Sequence, residues 1–97
     1  SNLNDFNGAI IDFDKAISKD PNNADIFYNR AIAKRNIGNY TAAAQDFDKA
    51  IQLKPNQADI YLNRAYNKSF QANTQGAIDD FSKAISMNAN LWDAYIG

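Results

Sequence analysis

Hydrophobic and polar positions along this chain follow the period of a helix. In the segment that starts at Ala43, small and apolar residues follow at Phe47, Ala50 and Ile51, at spacings of four, three and one. This spacing places the side chains on one face of a helix, with polar residues such as Asp46 on or near the opposite face. No strand-like alternation interrupts the chain. The pattern therefore predicts an all-α protein.

Prolines, a glycine and asparagines divide the pattern into six predicted helices. Pro21 and Pro55 each separate two helices, because proline has no backbone N–H and clashes inside a helix. Gly38 provides a helix end that tolerates positive φ. Short connections make consecutive helices antiparallel neighbours. Suitable N-caps are Asn22, Asn23 and Asn56, and the predicted helices cover residues 5–19, 24–37, 41–53, 58–71, 75–87 and 91–97.

Two sequence blocks recur at one fixed interval of 34 residues. The first block, Asp-Phe-Asp-Lys-Ala-Ile with small changes in its last copy, occupies residues 12–17, 46–51 and 80–85. The second block, Ala-Asp-Ile followed by two aromatic or apolar residues and Asn-Arg-Ala, occupies residues 24–31 and 58–65 and begins again near residue 92. Since two independent blocks keep one register, the sequence predicts a tandem array of helical hairpins.

These blocks resemble the tetratricopeptide repeat family in period and in motif, over essentially the whole chain. The large first-helix position of the motif holds Phe27 and Tyr61, and its small position holds Ala31 and Ala65. The resemblance implies a right-handed α-α superhelix, a solenoid of antiparallel hairpins in which small residues allow close helix contacts and aromatic residues fill the gaps. The matching second-helix residues are Ala9, Phe13, Ala16, Ala43, Phe47, Ala50, Ala77, Phe81 and Ala84.

Charged residues stand where this family has apolar or aromatic ones. Arg30 and Arg64 occupy a Leu position, and Lys34 and Lys68 occupy a Tyr position, while Ala89 replaces a third proline. Their long stems are expected to pack against the helices while their charged ends reach water. The structural alternative to ligand contact is that the arginines pair with acids on adjacent second helices and hold the hairpins in register; the candidate acids are Asp12, Asp46 and Asp80.

Pairs of acidic residues also recur with the repeat, but they do not predict a catalytic or metal site. Residues one or two positions apart on a helix do not converge on one point, and their recurrence is typical of a solvated face. The pairs are Asp12 with Asp14, Asp46 with Asp48, and Asp79 with Asp80. We therefore predict a protein that is not an enzyme and has no catalytic residue, no metal and no cofactor; an enzyme would need a catalytic domain outside these residues.

The amino-acid composition argues against several classes of function. The 97 residues include no cysteine and no histidine, which excludes thiolate sites, cysteine nucleophiles and histidine-based catalysis within the chain. The net charge of −1 lacks the basic excess of a nucleic-acid-binding protein. Because of this charge, we predict no nucleic-acid partner. No apolar stretch approaches the roughly 20 residues that cross a bilayer, so we also predict no membrane span in this fragment.

The phase of the repeat predicts a single domain over residues 1–97. It would contain a partial unit at 5–23, full repeats at 24–57 and 58–91, and a truncated unit at 92–97. Because the chain begins without Met, we interpret it as an excised fragment. Trp92, Tyr95 and Ile96 then either fold back as a cap or are left open by truncation, which we favour, and such a fragment would form a homo-oligomer through its exposed ends.

The resemblance also implies a binding surface, because first helices of this family line a concave groove that holds peptides. The candidate groove residues are Tyr28, Asn29, Ile32, Arg35, Asn36, Leu62, Asn63, Tyr66, Ser69 and Phe70. Several of them could instead pack between neighbouring repeats. The family's clamp for chaperone C-termini has a central asparagine that Asn29 and Asn63 resemble, but its Lys and Asn partners are missing here. A neutral, aromatic-lined groove suits an apolar or helical peptide.

Two functions follow from these observations. The first is a non-catalytic protein–protein interaction module that binds a peptide or partner protein in its groove. The alternative is a structural or assembly segment of a larger multi-repeat protein, which self-associates through its open ends. Binding that is lost on Tyr66→Ala would favour the first, and recovery of self-copies alone would favour the second.

Overall fold

Five α-helices joined by short turns make up the fold. A computed structural model of the protein describes the backbone of residues 3–96 and the side chains of residues 5–87. Within that range each helix packs against the next one along the chain, α2 also contacts α4, and no strand occurs. The predicted all-α solenoid of helical hairpins is confirmed. The helices are α1 (Leu3–Lys19), α2 (Ala24–Asn36), α3 (Tyr40–Leu53), α4 (Ala58–Phe70) and α5 (Thr74–Ile96).

The turn between α1 and α2 is fixed by proline and by an asparagine cap. α1 ends at Lys19, two residues before Pro21. Asn23 caps α2, because its side-chain oxygen accepts a hydrogen bond from the Asp25 N–H at 3.0 Å. The other two predicted caps, Asn22 and Asn56, are not at cap positions. The cap of α4 is Gln57, whose side chain makes no capping hydrogen bond.

The ends of α2 and α4 have the same left-handed conformation although their sequences differ. Gly38 follows α2 with φ of +85°, and Ala72 stands 34 residues later with φ of +62°. In each turn the next asparagine donates its backbone N–H to a carbonyl of the preceding helix, from Asn39 to Lys34 at 2.9 Å and from Asn73 to the equivalent lysine at 2.8 Å. Only glycine adopts this region at no steric cost, so Ala72 is strained.

The last helix corrects one of our predictions. We expected a helix to end near residue 87 and another to begin near residue 91, but α5 is continuous from Thr74 to Ile96. Ala89 stands where Pro21 and Pro55 end the earlier second helices, and alanine favours rather than breaks a helix. The side chains of Trp92, Tyr95 and Ile96 lie outside the described range, so the prediction about their packing stays a prediction.

The core lies between α2, α3 and α4 and uses the small and aromatic residues of the motif. Phe47 in α3 is fully buried, surrounded by Phe27 of α2 and Ile60 of α4. Alanines at the helix contacts are buried as well, which lets the backbones approach closely. These alanines are Ala31, Ala43, Ala50, Ala65, Ala77 and Ala84. The core thus spans the stack and places α2 beside α4.

Candidate partner-binding surface

The ten groove residues all belong to α2 and α4, the two first helices that lie side by side. We call this surface the groove. Five of its residues are half-buried and five are exposed. The half-buried residues are Tyr28, Ile32, Arg35, Leu62 and Asn63, and the exposed ones are Asn29, Asn36, Tyr66, Ser69 and Phe70.

A hydrogen-bond network joins three of these residues across the two helices. Asn63 on α4 donates from Nδ2 to the Tyr28 hydroxyl at 2.7 Å and to the Asp59 carbonyl at 2.9 Å. Its Oδ1 accepts from Nη1 of Arg35 at 3.0 Å, and its backbone carbonyl accepts from the same atom at 3.4 Å. Asn63 therefore fixes the positions of two side chains on α2. No spacing within one helix indicates such a network, because it depends on how the helices cross.

The electrostatics of this network are set by burial and by two charges. Burial raises the pKa of the Tyr28 hydroxyl, the Asp59 carboxylate raises it further, and the Arg35 guanidinium lowers it in part. Tyr28 is consequently a neutral phenol at physiological pH. Among the described side chains, Arg35 forms no ion pair.

Some groove residues also pack between neighbouring repeats, which is the alternative to ligand contact that the sequence left open. Tyr28 meets Phe47 edge-on, with 6.2 Å between ring centroids, and Ile32 packs against the buried core. Tyr66 meets Phe81 of α5 in the same way at 5.2 Å, yet remains 46% exposed. These side chains therefore pack against a neighbouring repeat and still contribute to the surface of the groove.

Phe70 presents the largest apolar exposure in the groove set. It is 61% exposed, and one ring face stacks on Tyr40 of α3 with centroids 5.2 Å apart. Since it lies at the end of α4, it forms the margin of the groove next to the start of α3.

The charged substitutions in the motif form a second structural feature, which holds three helices together. Arg30 on α2 donates from Nε and Nη2 to the Asp46 carboxylate on α3, at 2.8 and 2.7 Å. Its Nη1 donates to Asp14 on α1 at 2.7 Å. Lys34, one turn along α2, reaches Asp46 at 3.0 Å. These four residues form what we call the Arg30 bridge, with two cations and two carboxylates.

The same arrangement recurs one repeat later as the Arg64 bridge. Arg64 on α4 bonds Asp80 on α5 at 2.7 and 2.8 Å and Asp48 on α3 at 3.0 Å, and Lys68 reaches Asp80 at 3.0 Å. Burial disfavours the charged form of Asp80, but the hydrogen bonds from Arg64 and Lys68 outweigh it, so the pKa of this carboxyl is below its ordinary value. The hydrogen bonds that Arg64 donates to the Asp80 carboxylate are the main cause that raises the pKa of Arg64.

These bridges confirm one interpretation and correct others. The arginines pair with Asp46 and Asp80, as expected, but the second partner of Arg30 is Asp14 rather than Asp12. Asp46 and Asp80 are only 4% exposed, so they do not belong to a solvated face. The cationic ends bind these carboxylates instead of reaching water. The reason is that two cations one turn apart neutralise each buried acid.

The open side of the α4–α5 hairpin differs from the same side one repeat earlier. Phe47 is fully buried in the same cluster as Ile60 of α4, and Ile51 packs against this cluster. Their counterparts are Phe81, which is half-buried, and Ile85, which is 66% exposed. This surface, which we call the end face, has the apolar side chains of a helix contact, but none of the described helices packs on Ile85 as closely as on Ile51.

In the part of the chain that the structure describes, no group of three acidic, cysteine or histidine side chains is arranged to hold a metal ion. No helix there combines the length and the apolar character needed to cross a membrane.

Solved structures of MamA share this fold. The chain superposes on "MamA MSR-1" with a TM-score of 0.84 at 22% identity, covering 89% of this chain and 49% of that one. A further "Crystal structure of MamA" gives 0.86 at 20%, covering 92% and 52%. MamA from Desulfovibrio magneticus RS-1 gives 0.85 at 14%, covering 89% and 49%. The chain thus spans about half the length of these proteins, and at such low identity the likeness concerns the fold alone.

Family models match along most of the sequence, although no curated protein matches it. Models described as "Tetratricopeptide repeat" match residues 24–57 and 58–91, and one described as "TPR repeat" matches residues 2–36. Together with the stacked hairpins and the buried motif positions, these matches show that the chain belongs to the tetratricopeptide repeat family.

Proposed function

We propose that the chain is a non-catalytic module that binds a peptide or a partner protein in the groove between α2 and α4. Tetratricopeptide repeats are typically interaction or scaffold modules, and this chain is one by its family and fold. The division into a partial unit at 5–23, full repeats at 24–57 and 58–91 and a truncated unit at 92–97 stays a prediction. The finer assignment, to the groove, rests on the side chains that line it.

The observation that carries the proposal is the exposure of large apolar groups along the groove. Tyr66 and Phe70 remain 46% and 61% exposed although each already packs against one neighbouring ring. Exposed aromatic side chains with a polar margin are typical of interaction surfaces, where they provide large contact area at low cost in conformational entropy. Asn29, Asn36 and Ser69 supply that margin.

A peptide selected from a random display library against the chain provides the test. Tyr66→Ala is expected to weaken its binding about tenfold or more, as removal of an exposed aromatic anchor does, while circular dichroism keeps the helical signal. Ile11→Ala is the matched control, since Ile11 is 55% exposed on α1, outside the groove. Binding that is unchanged by Tyr66→Ala, or weakened equally by Ile11→Ala, would contradict the groove assignment.

The end face supports a second candidate function, assembly of copies or of further repeats through this surface. Ile85 is 66% exposed where its counterpart Ile51 lies under a helix, so a helix of the same kind fits on it. Sedimentation velocity at increasing concentration tests self-association. A concentration-dependent dimer that Ile85→Glu abolishes supports assembly, and a monomer at all concentrations rejects it for this chain.

A further inference from the structure

Arg35 differs from the other two arginines of the chain, because it has no carboxylate partner among the described side chains. Arg30 and Arg64 each bond two carboxylates, and each bridge balances its two cations with two acids. Arg35 is half-buried, yet no described side chain forms an ion pair with it. The counterpart of Arg35 in the next repeat is Ser69. The cation is therefore not a recurring device that holds hairpins together.

The guanidinium of Arg35 is held in place while part of it stays available. Its Nη1 donates to Oδ1 and to the carbonyl of Asn63, at 3.0 and 3.4 Å. Within the described residues its Nε and Nη2 make no hydrogen bond. Those two nitrogens carry the N–H groups that form paired bonds with a carboxylate. Since Asn63 restrains the side chain beforehand, less conformational entropy is lost when an acceptor binds.

Tyr28 supplies a second donor on the same face of α2. Its oxygen accepts the N–H of Asn63 at 2.7 Å, so its own proton remains to be donated. Ile32 lies between Tyr28 and Arg35 at helical spacing, which puts an apolar contact between two polar groups. The fitting ligand therefore combines an acidic group with a neighbouring apolar side chain.

We propose that Arg35 and Tyr28 form a carboxylate-binding subsite of the groove, which takes an Asp or Glu side chain of a partner peptide. The inference rests on the proposed function, because it concerns the same surface. A side-chain carboxylate fits better than a peptide C-terminus, since the asparagine that resembles the family's terminal-carboxylate ligand, Asn63, already uses both its amide nitrogen and its oxygen within the protein.

Asp59, the acid next to Tyr28, provides a test of whether the subsite binds a negatively charged group. The Asp59 carboxylate is close enough to raise the pKa of Tyr28, and no ion pair ties it to Arg35. It therefore repels an incoming carboxylate. Asp59→Asn should strengthen the binding of an acidic peptide, whereas Arg35→Gln should weaken it.

The experiment uses short random peptides displayed with their C-termini fused to the carrier, so that only side-chain carboxylates are available. The full chain selects binders, and affinities of a selected peptide and of its Glu→Gln or Asp→Asn version are measured by fluorescence anisotropy. We expect an acidic residue in the selected peptides. Its neutralisation and Arg35→Gln should each cost about tenfold in affinity, and the two changes together no more than either alone.

Control variants separate this subsite from the general charge of the protein. Lys83→Gln removes the same charge from an exposed position on α5 and should leave affinity unchanged. Asp59→Asn should raise affinity about twofold to threefold, and higher salt should reduce the contribution of the acid. Losses for Lys83→Gln as large as for Arg35→Gln would overturn the proposal.

The outcomes also distinguish this inference from the proposed function. Selected peptides that lose binding on Tyr66→Ala, but tolerate neutralisation of their acids or Arg35→Gln, would overturn the subsite and leave the groove standing. If libraries with fused C-termini yield no binder while libraries with free C-termini do, the side-chain assignment is likewise overturned. If selected peptides are indifferent to both Tyr66→Ala and Arg35→Gln, the groove and the subsite are both rejected.

Discussion

Neutralising Asp46 tests whether buried charge in the Arg30 bridge holds the helices together. The Asp46 carboxylate accepts three charged contacts, two from Arg30 at 2.7 and 2.8 Å and one from Lys34 at 3.0 Å. Asp46→Asn keeps the shape of the side chain, but it replaces one carboxylate oxygen by an NH₂ group that faces the N–H donors of Arg30 or Lys34. It also removes the negative charge that compensates one of these cations. Hydrogen bonds to charged groups contribute about 1.5–3 kcal/mol each. The cations retain 17–18% side-chain exposure and can partly rehydrate, so we expect a total loss of about 2–3 kcal/mol.

Asp14→Asn is the matched control for this substitution. Asp14 bonds the same arginine at the same 2.7 Å, but its side chain is 54% exposed. Exposed pairs contribute about 0–1 kcal/mol, so its loss should cost less than half as much as that of Asp46. Urea unfolding followed by circular dichroism measures both values, at two salt concentrations, with a smaller salt effect expected for Asp46. Equal costs for the two variants would refute the argument that burial decides the value of the bridge.

Three further predictions concern stability. Because the folded-state pKa of Asp80 is lowered, the ionised Asp80 carboxylate stabilises the fold fully above about pH 4, and this contribution is lost as the pH falls through the folded-state pKa. Urea unfolding at a series of acidic pH values should show this loss of stability. Asp80→Asn should remove that part of the pH dependence. Ala72→Gly should stabilise by about 0.5–1 kcal/mol and Gly38→Ala should destabilise by about 1 kcal/mol, since both positions have positive φ; a loss of stability in the first variant would contradict the strain. Ala43→Leu should destabilise by about 1–3 kcal/mol through overpacking of a fully buried helix contact, and an unchanged melting temperature would contradict that contact.

Much of the fold could be predicted because the repeat and the helical period agree. The 34-residue interval fixed the order of the hairpins, and Pro21 and Gly38 marked helix ends that the structure has. The left-handed turn at Ala72 was harder to predict, since alanine gives no local signal for positive φ. It could be inferred only by carrying Gly38 forward by one repeat. The predicted break between residues 87 and 91 does not occur, because Ala89 stands where proline ends the earlier second helices.

Buried polar groups were the main feature that periodicity could not predict. The helical pattern places Asp46 and Asp80 on the polar side of their helices and so assigns them to solvent. In the structure both are buried, and each is paired with cations from another helix. Asn67 is fully buried where the previous repeat has Ala33, and its Nδ2 donates to the Tyr40 carbonyl at 3.0 Å. Such contacts depend on tertiary crossing. A sequence pattern along one helix contains no information about them.

The groove shows the same division between what a pattern predicts and what it cannot. Helical spacing identified the α2 and α4 positions that share a face, including Tyr28 and Arg35. It did not indicate that Asn63 would bond both of them. Nor did it indicate that Arg30 would have two acid partners while Arg35 has none among the described side chains. The chemistry proposed for the groove comes from these differences.

Mapping the binding site by nuclear magnetic resonance tests the central claim most directly. Amide chemical shifts of the chain are followed while a library-selected peptide is added. We expect the largest changes on the shared face of α2 and α4, around Tyr28, Ile32 and Leu62, with small changes on the outer face of α3. Changes concentrated on α5 around Ile85, or spread evenly over the helices, would contradict binding in the groove.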